Sequence, residues 1–124
     1  MDLIEFLRAR LSEEAAEAEA AKANVPWAWI GCDLGNRSDV SADFITTWSP
    51  TRILAEVAAK RARLELHQPV PLATTHPDWQ PGTDVKQCLT CRPGHFAEVW
   101  PCRTIRMDLV VYAEHPDFHP SWRL

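Results

Sequence analysis

Three of the four cysteines lie close together in the second half of the chain, at positions 88, 91 and 102. Cys88 and Cys91 form a C-x2-C motif that is followed by the turn residues Arg92-Pro93-Gly94, and Cys102 comes soon afterwards. A C-x2-C motif beside a tight turn brings two thiolates onto one metal ion, and structural zinc takes four ligands in a tetrahedron. The sequence therefore predicts a zinc site with three sulfur ligands and one further ligand from elsewhere.

The fourth ligand is predicted to be His67, at the end of the helix that precedes the cysteines. This histidine ends an apolar stripe with helical spacing, so its side chain is expected on the buried face. Cys32, His76 and His95 remain alternative ligands. His95 is close in sequence, but a C-x3-H step from Cys91 would strain a turn that already closes on the metal.

A structural role is favoured for this site over a catalytic or redox role. Four protein ligands leave no open position for a substrate, as a catalytic zinc requires. A thioredoxin-like dithiol lies at a helix N-terminus after a buried strand, and the sequence around Cys88 and Cys91 predicts neither. No phosphate-binding loop, dinucleotide fingerprint, nucleophile elbow or H-E-x-x-H motif is present. We therefore predict a structural Zn²⁺ and no enzymatic activity, with three unrelated reduced thiols as the alternative.

Size and charge limit the classes of protein that fit. With 124 residues, the chain is expected to form a single domain, 1–124. Its net charge is −4, and Glu56 and Glu65 flank the basic cluster of Lys60, Arg61 and Arg63, which disfavours nucleic-acid binding. The N-terminus lacks the features of a signal peptide, and no stretch approaches the roughly 20 apolar residues of a membrane span. A cytoplasmic protein without a membrane contact is expected, in a compartment where thiols stay reduced.

The pattern of apolar residues predicts a mainly α-helical domain with a small β-hairpin. Asp2 is the expected N-cap of the first helix, Ser49 followed by Pro50 marks the start of the second, and Pro101 falls in the first turn of the third. The zinc knuckle would then tie the second helix to the third. The full assignment is helix 3–23, short strands at about 27–30 and 39–47, helix 50–67, a Pro-rich loop 68–87, a Cys knuckle 88–94, helix 101–114 and an extended tail 115–124.

Several stretches of the sequence, taken together, carry a resemblance to a known family. They are residues 3–11 (LIEFLRARL), 49–54 (SPTRIL) continuing to 59–61 (AKR), 101–106 (PCRTIR), and 112–118 (YAEHPDF) with Trp122. Together they resemble a family of small uncharacterised proteins from actinobacteria and their phages, which carries only a domain-of-unknown-function label. The resemblance covers most of the chain, and the Y-A-x-H-P-D-F ending is its most specific motif.

The resemblance implies a ligand set but no activity. Similar members often keep a histidine after the K-R helix, a C-x-x-C pair, and a Pro-Cys pair that opens the last helix. These positions correspond here to His67, Cys88, Cys91 and Cys102. The resemblance therefore supports a structural metal more than a catalytic one, and the phage connection favours a small accessory or regulatory protein.

Two functions of different kinds are compatible with these observations. The leading hypothesis is a zinc-stabilised, non-enzymatic interaction or accessory protein, related to phage or prophage, that binds a host or phage protein. The alternative is a nucleic-acid-associated regulator with a modest basic patch formed by Lys60, Arg61, Arg63, Arg103 and Arg106. Salt-dependent DNA binding would distinguish the two. An enzyme ranks third, and an open ligand position on the metal would favour it.

Overall fold

The computed structural model describes residues 1–24, 44, 47–71, 85–91 and 99–124. Over these residues the chain is mainly helical with one two-stranded antiparallel hairpin, as predicted. No helix in the described ranges is both long enough and apolar enough to cross a membrane. The elements are α1 (Leu3–Asn24), α2 (Pro50–Leu66), β1 (Pro69–Pro71), β2 (Lys86–Cys88) and α3 (Arg103–Leu109), followed by 3-10 turns at Val110–Tyr112 and Pro120–Trp122.

Side-chain caps fix the starts of the two long helices, and the residues are those expected from the sequence. The Asp2 carboxylate accepts from the Glu5 backbone N–H at 2.8 Å, and the Glu5 carboxylate accepts from the Asp2 N–H at 3.3 Å. This reciprocal pair is a capping box, which satisfies two N–H groups that the helix itself leaves unpaired. At α2, the Ser49 hydroxyl accepts from the Arg52 N–H at 3.4 Å, and Pro50 takes the first helical position.

The chain divides into two compact units, and the single domain expected over residues 1–124 stays a prediction. Unit 1 comprises residues 1–7 and 62–124, and unit 2 comprises residues 8–61. In unit 2, α1 and α2 bury Leu11, Ala18 and Val57. Lys60 on α2 lies 3.8 Å from the Glu14 carboxylate on α1, so an ion pair also joins these helices.

The core of unit 1 is partly aromatic. The Phe6 side chain is 0% exposed, and four rings surround it at centroid distances of 5.1 to 6.1 Å: Tyr112, His115, Phe118 and Trp122. Edge-on and tilted contacts of this kind are the favoured arrangements for aromatic rings. The first helical turn is thereby packed against the C-terminal segment, beside the buried side chains of Leu3, Leu7, Leu64, Ile105 and Leu109.

The prediction of a Pro-rich loop over 68–87 is wrong at both ends, where the structure has the strands β1 and β2. β1 pairs antiparallel with β2, and Val70 stands opposite Gln87 between the pairs Pro69–Cys88 and Pro71–Lys86. Proline has no N–H to donate, so it is tolerated only at an edge of a sheet, and β1 is such an edge. Prolines on both sides of Val70 therefore resemble a loop in the sequence although they occupy a strand.

The hairpin predicted from strands 27–30 and 39–47 is not the hairpin of this fold. Strand 27–30 lies outside the described residues. Within 39–47, Phe44 and Thr47 are helical, and the Trp48 N–H donates to the Phe44 carbonyl at 3.0 Å, so the strand prediction is wrong there. Aromatic and β-branched residues suggested a strand, but such preferences depend on strand partners that a local pattern cannot show.

The third helix is shorter than the predicted 101–114. Cys102 has an extended backbone (φ −69°, ψ 164°) and is the N-cap, so α3 begins at Arg103 and Pro101 precedes the helix. After Leu109 the chain tightens into the 3-10 turn Val110–Tyr112. The tail predicted as extended over 115–124 also contains a 3-10 turn, where the His119 ring accepts from the Ser121 N–H.

Candidate metal centre

His67 is positioned by the end of α2. The helix ends at Leu66 rather than at His67, but the His67 N–H still donates to the Arg63 carbonyl at 2.9 Å. The last helical hydrogen bond therefore fixes the histidine backbone just beyond the helix. Its half-buried side chain follows the buried Leu64 on the inner face of unit 1.

Two hydrogen bonds hold the first pair of cysteines beside this histidine. Cys88 ends β2, and the Leu89 N–H donates to the Gln68 carbonyl at 2.8 Å. The Thr90 hydroxyl donates to the Leu66 carbonyl at the end of α2. Both residues between Cys88 and Cys91 are thus tied to the segment around His67, which brings the two thiols to the same place.

Cys102 reaches the site because the chain before α3 runs along β2. Val99 forms an antiparallel bridge with Gln87, and the Trp100 N–H donates to the Lys86 carbonyl at 2.8 Å. Gln87 is therefore flanked by Val70 and Val99, and its buried side-chain amide donates to the Pro71 carbonyl at 3.3 Å. This small three-segment arrangement sets the point at which α3 begins.

An ion pair joins the two helices that carry ligands. Arg63 on α2 makes two hydrogen bonds of 2.8 Å to the Asp108 carboxylate on α3. A bidentate guanidinium–carboxylate pair fixes direction as well as distance, although the part-exposed Arg63 keeps its contribution to stability modest. The pair therefore helps to align His67 with Cys102.

The four predicted ligands converge on one point. Their ligand atoms all lie within 4.8 Å of one another. The His67 Nδ1 atom is 3.3 Å from the sulfur of Cys88 and 3.5 Å from the sulfurs of Cys91 and Cys102. With Zn–S bonds of about 2.3 Å and a Zn–N bond of about 2.0–2.1 Å, a tetrahedral ion places each sulfur about 3.5–3.6 Å from the nitrogen. The three distances from the nitrogen to the sulfurs therefore match those of a tetrahedral metal site.

Hydrogen bonding alone does not account for this geometry. A neutral imidazole nitrogen offers either one N–H or one lone pair, which suits one thiol partner. Here one nitrogen is nearly equidistant from three sulfurs. A common cation at the centre would satisfy all four atoms at once, so the cluster could hold a metal ion.

Without a cation, the Cys91 and Cys102 thiols are held in their neutral form. Burial and the neighbouring Cys88 and Cys102 raise the pKa of the Cys91 thiol from 9.0 to about 12. Burial also raises the pKa of the Cys102 thiol, and the Ile105 backbone N–H opposes part of that rise. The Cys102 side chain makes no hydrogen bond that caps α3. Crowded thiolates repel one another, and a divalent cation removes this penalty when it binds.

These pKa values give a prediction for the metal-free protein. The folded-state pKa of Cys91 lies above its ordinary value of 9.0, so the unfolded chain loses this proton first as the pH rises. The melting temperature of chelator-treated protein should therefore fall between pH 9 and pH 12, and the Cys91→Ser variant should lose less stability over that interval. The zinc-loaded protein should instead lose stability toward acid, because the ligands must be deprotonated to bind metal. If the melting temperatures of the wild type and of Cys91→Ser fall equally between pH 9 and pH 12, the raised pKa of Cys91 is not the cause of the loss.

The other residues singled out in the sequence do not join this cluster. Cys32, His76 and His95 lie outside the described residues. Most of the proposed basic patch is engaged within its own unit: Lys60 with Glu14, Arg61 with the Leu11 carbonyl, Arg63 with Asp108, and Arg106 with the Pro101 and Arg123 carbonyls. The sequence reasoning missed Gln68, Thr90 and Gln87, which position the ligands. Each of the three is adjacent in sequence to a predicted ligand, and that adjacency was the only local signal for them.

Over the described residues, the chain is a small, mainly helical protein with a candidate Cys₃His metal centre. The chain belongs to a family of unknown function (DUF6221), whose family model matches residues 1–124. The predicted membership of a domain-of-unknown-function family is therefore confirmed. No curated protein and no solved structure was found to match the chain.

Proposed function

We propose that His67, Cys88, Cys91 and Cys102 bind one structural Zn²⁺, in a small non-enzymatic protein that acts by binding another protein. The observation that carries the metal assignment is the position of His67 Nδ1, 3.3–3.5 Å from three cysteine sulfurs.

Zinc fits this donor set better than other common metals. Three thiolates and one imidazole in a tetrahedron form one of the standard structural zinc sites. Calcium and magnesium take oxygen ligands, which the cluster lacks, whereas iron–sulfur clusters usually take four cysteines. The four ligands here are one histidine and three cysteines, so zinc is the metal that we assign.

A structural role follows from the completeness and burial of the site. A catalytic zinc keeps one position for water or substrate, and four protein ligands fill all four positions of a tetrahedron. Cys88 and Cys102 are fully buried, and the remaining two ligands are half-buried. Solvent and substrate therefore have little access to the metal, which supports a non-enzymatic protein.

The metal would connect three separate parts of unit 1. His67 follows α2, Cys88 and Cys91 lie at the end of the hairpin, and Cys102 caps α3. These parts are short, and short chains rarely build enough core to be stable without a metal or another cross-link. Because the unfolded chain has no preformed site, much of the free energy of metal binding becomes free energy of folding.

A protein partner is favoured over nucleic acid because the basic cluster of Lys60, Arg61 and Arg63 is already engaged. The net charge is −4, and Lys60, Arg61 and Arg63 each contact an acidic or carbonyl group of the chain. Nucleic-acid binding depends on cations that are available to phosphates. The need for reduced thiols supports a cytoplasmic location, and the resemblance to phage-related proteins supports an accessory or regulatory role. Salt-dependent DNA binding would support the alternative instead.

Replacing His67 tests the ligand set. His67→Ala should lower zinc affinity at least about 100-fold, more than the 10–100-fold that loss of an outer-shell partner typically costs. Competition with a zinc-binding dye would measure the change. His119→Ala is the matched control, because His119 lies on the C-terminal tail and contacts Ser121, so its zinc affinity should equal that of the wild type. Unchanged affinity in His67→Ala would transfer the fourth ligand to Cys32, His76 or His95.

A further inference from the structure

The three sulfurs of the candidate metal centre differ in their access to solvent. Cys88 and Cys102 are 0% and 1% exposed, whereas Cys91 is only partly buried. Cys88 ends β2 and Cys102 caps α3, but Cys91 lies in a bend beyond the hairpin, outside any helix or strand. A small molecule in solution therefore reaches the sulfur of Cys91 more readily than the sulfurs of the other two cysteines.

Cys91 also lies beside a second sulfur with which it can form a disulfide. The ligand atoms of the centre are all within 4.8 Å of one another, so the sulfurs of Cys88 and Cys91 are no farther apart than that. A bond between these two would reshape only the short bend that joins them. A bond to Cys102 would also move the start of α3, which the Trp100 N–H holds against the Lys86 carbonyl. Cys88 is therefore the cysteine best placed to react with an oxidised Cys91.

We propose that the metal centre is a redox switch, in which a peroxide oxidises Cys91, Cys88 forms a disulfide with it, and the zinc ion is released. The inference deepens the proposed function and rests on it, because bound zinc keeps the cysteines deprotonated. The thiolate is the form of cysteine that attacks an oxidant. An accessible thiolate next to a second cysteine that can resolve its oxidation is the arrangement found in redox-sensing proteins.

The chemistry takes two steps and consumes one molecule of hydrogen peroxide. The Cys91 sulfur first attacks one oxygen of the peroxide, the O–O bond breaks, a hydroxide ion leaves, and the sulfur becomes a sulfenic acid. The Cys88 thiolate then attacks the Cys91 sulfur, the S–O bond breaks, a second hydroxide ion leaves, and the S–S bond forms. The two sulfurs together lose two electrons to the peroxide, and the two hydroxide ions take protons from the solvent.

Formation of this disulfide removes two of the four metal ligands. His67 and Cys102 remain, and two ligands are too few for a tetrahedral zinc site. The hairpin loses its connection through the metal, whereas the Arg63–Asp108 ion pair still joins α2 and α3. Because much of the free energy of metal binding is free energy of folding, the oxidised protein should melt close to the temperature at which the chelator-treated protein melts.

Peroxide treatment of the zinc-loaded full chain tests the proposal. The zinc content is measured first, and about one zinc per chain is expected. A zinc-binding dye then follows the metal, and peptide mass spectrometry after thiol alkylation identifies the oxidised cysteines. One zinc should be released for each Cys88–Cys91 disulfide while Cys102 remains a thiol, and a thiol reductant with added zinc should restore the zinc content. Cys32→Ser is the control, because it removes the only other cysteine of the chain, and it should lose zinc at the wild-type rate.

Two matched variants test which sulfur the peroxide attacks. Cys91→His and Cys102→His each replace a thiolate by an imidazole, which also binds zinc, at a partly exposed and a fully buried position respectively. For each protein, the rate of zinc loss with peroxide is divided by the rate without it, which corrects for a weaker affinity. This ratio should be about ten or more for the wild type and Cys102→His, and within about twofold of one for Cys91→His, because only Cys91→His lacks the accessible thiolate.

The outcomes separate the redox switch from the proposed metal site. Protein that holds no zinc before peroxide is added would contradict the proposed function, and the redox switch with it. Zinc that stays bound under excess peroxide would overturn the redox switch alone. So would a first disulfide that includes Cys102, or a zinc loss from Cys91→His that peroxide accelerates as much as in the wild type. If either histidine variant fails to hold zinc, the order of cysteine oxidation in the wild type decides.

Discussion

Replacing Cys102 with serine is expected to lower the melting temperature of the zinc-loaded protein by about 10 °C or more. The variant loses a metal ligand and leaves a polar hydroxyl at a fully buried position. Loss of the metal cross-link together with that hydroxyl should cost about 3 kcal/mol or more. Each kcal/mol corresponds to roughly 3–5 °C for a chain of this size. Thermal melts followed by circular dichroism would measure the difference.

A chelator separates the effect of the metal from that of the serine. Chelation should lower the melting temperature of the wild type toward that of Cys102→Ser, with the remaining difference due to the buried hydroxyl, and it should leave the variant almost unchanged. The Cys32→Ser variant should retain about one zinc per chain, because Cys32 is not assigned to the site. A wild-type melting temperature that does not respond to chelation would show that the cluster does not hold a stabilising metal.

The ligands of the candidate site could be found from sequence because their signals are local. The C-x2-C spacing joins Cys88 to Cys91, and the start of the third helix marks Cys102 as an inward-facing residue. The position of His67 at the end of an apolar helical stripe indicated the fourth predicted ligand. Ligand chemistry restricts the choice further, since few residue types bind zinc. The structure brings the four ligand atoms within 4.8 Å of one another, with His67 Nδ1 3.3–3.5 Å from the three sulfurs.

The groups that position the ligands could not be found in the same way. The bonds from Leu89 to the Gln68 carbonyl and from Thr90 to the Leu66 carbonyl join segments that are far apart in sequence. The placement of Gln87 between Val70 and Val99 is equally non-local. No local pattern records such pairings, because they depend on which segments the fold brings side by side.

For the same reason, the helix starts could be predicted from local sequence and the strands could not. Asp2 and Ser49 were recognised as caps because a cap acts within one turn of its own helix. β1 was missed because Pro69 and Pro71 suggest a loop until their place at a sheet edge is known. α3 was begun two residues early because proline favours a first turn, whereas Cys102 is the residue that caps the helix.

Replacing Phe6 with alanine is expected to destabilise unit 1 by about 3–5 kcal/mol, the usual cost of removing a fully buried phenylalanine. The ring packs among Tyr112, His115, Phe118 and Trp122, so its loss leaves a cavity and removes four aromatic contacts. The surrounding rings relax only partly into the space left behind, so the cost of the cavity adds to that of the lost contacts. Urea unfolding followed by circular dichroism would measure the loss, which should lower the melting temperature by about 10–20 °C.

Phe44→Ala is the matched control, because the same change is made at a phenylalanine that is 63% exposed. It should cost less than about 1 kcal/mol, in the range of surface substitutions. Phe6→Ala should still bind about one zinc per chain below its melting temperature, since Phe6 is not among the metal ligands. Equal stability of the two variants would show that the aromatic cluster around Phe6 does not hold the first turn of α1 in unit 1. A zinc-free Phe6→Ala that remains folded would instead show that the cluster is needed to bring the metal ligands together.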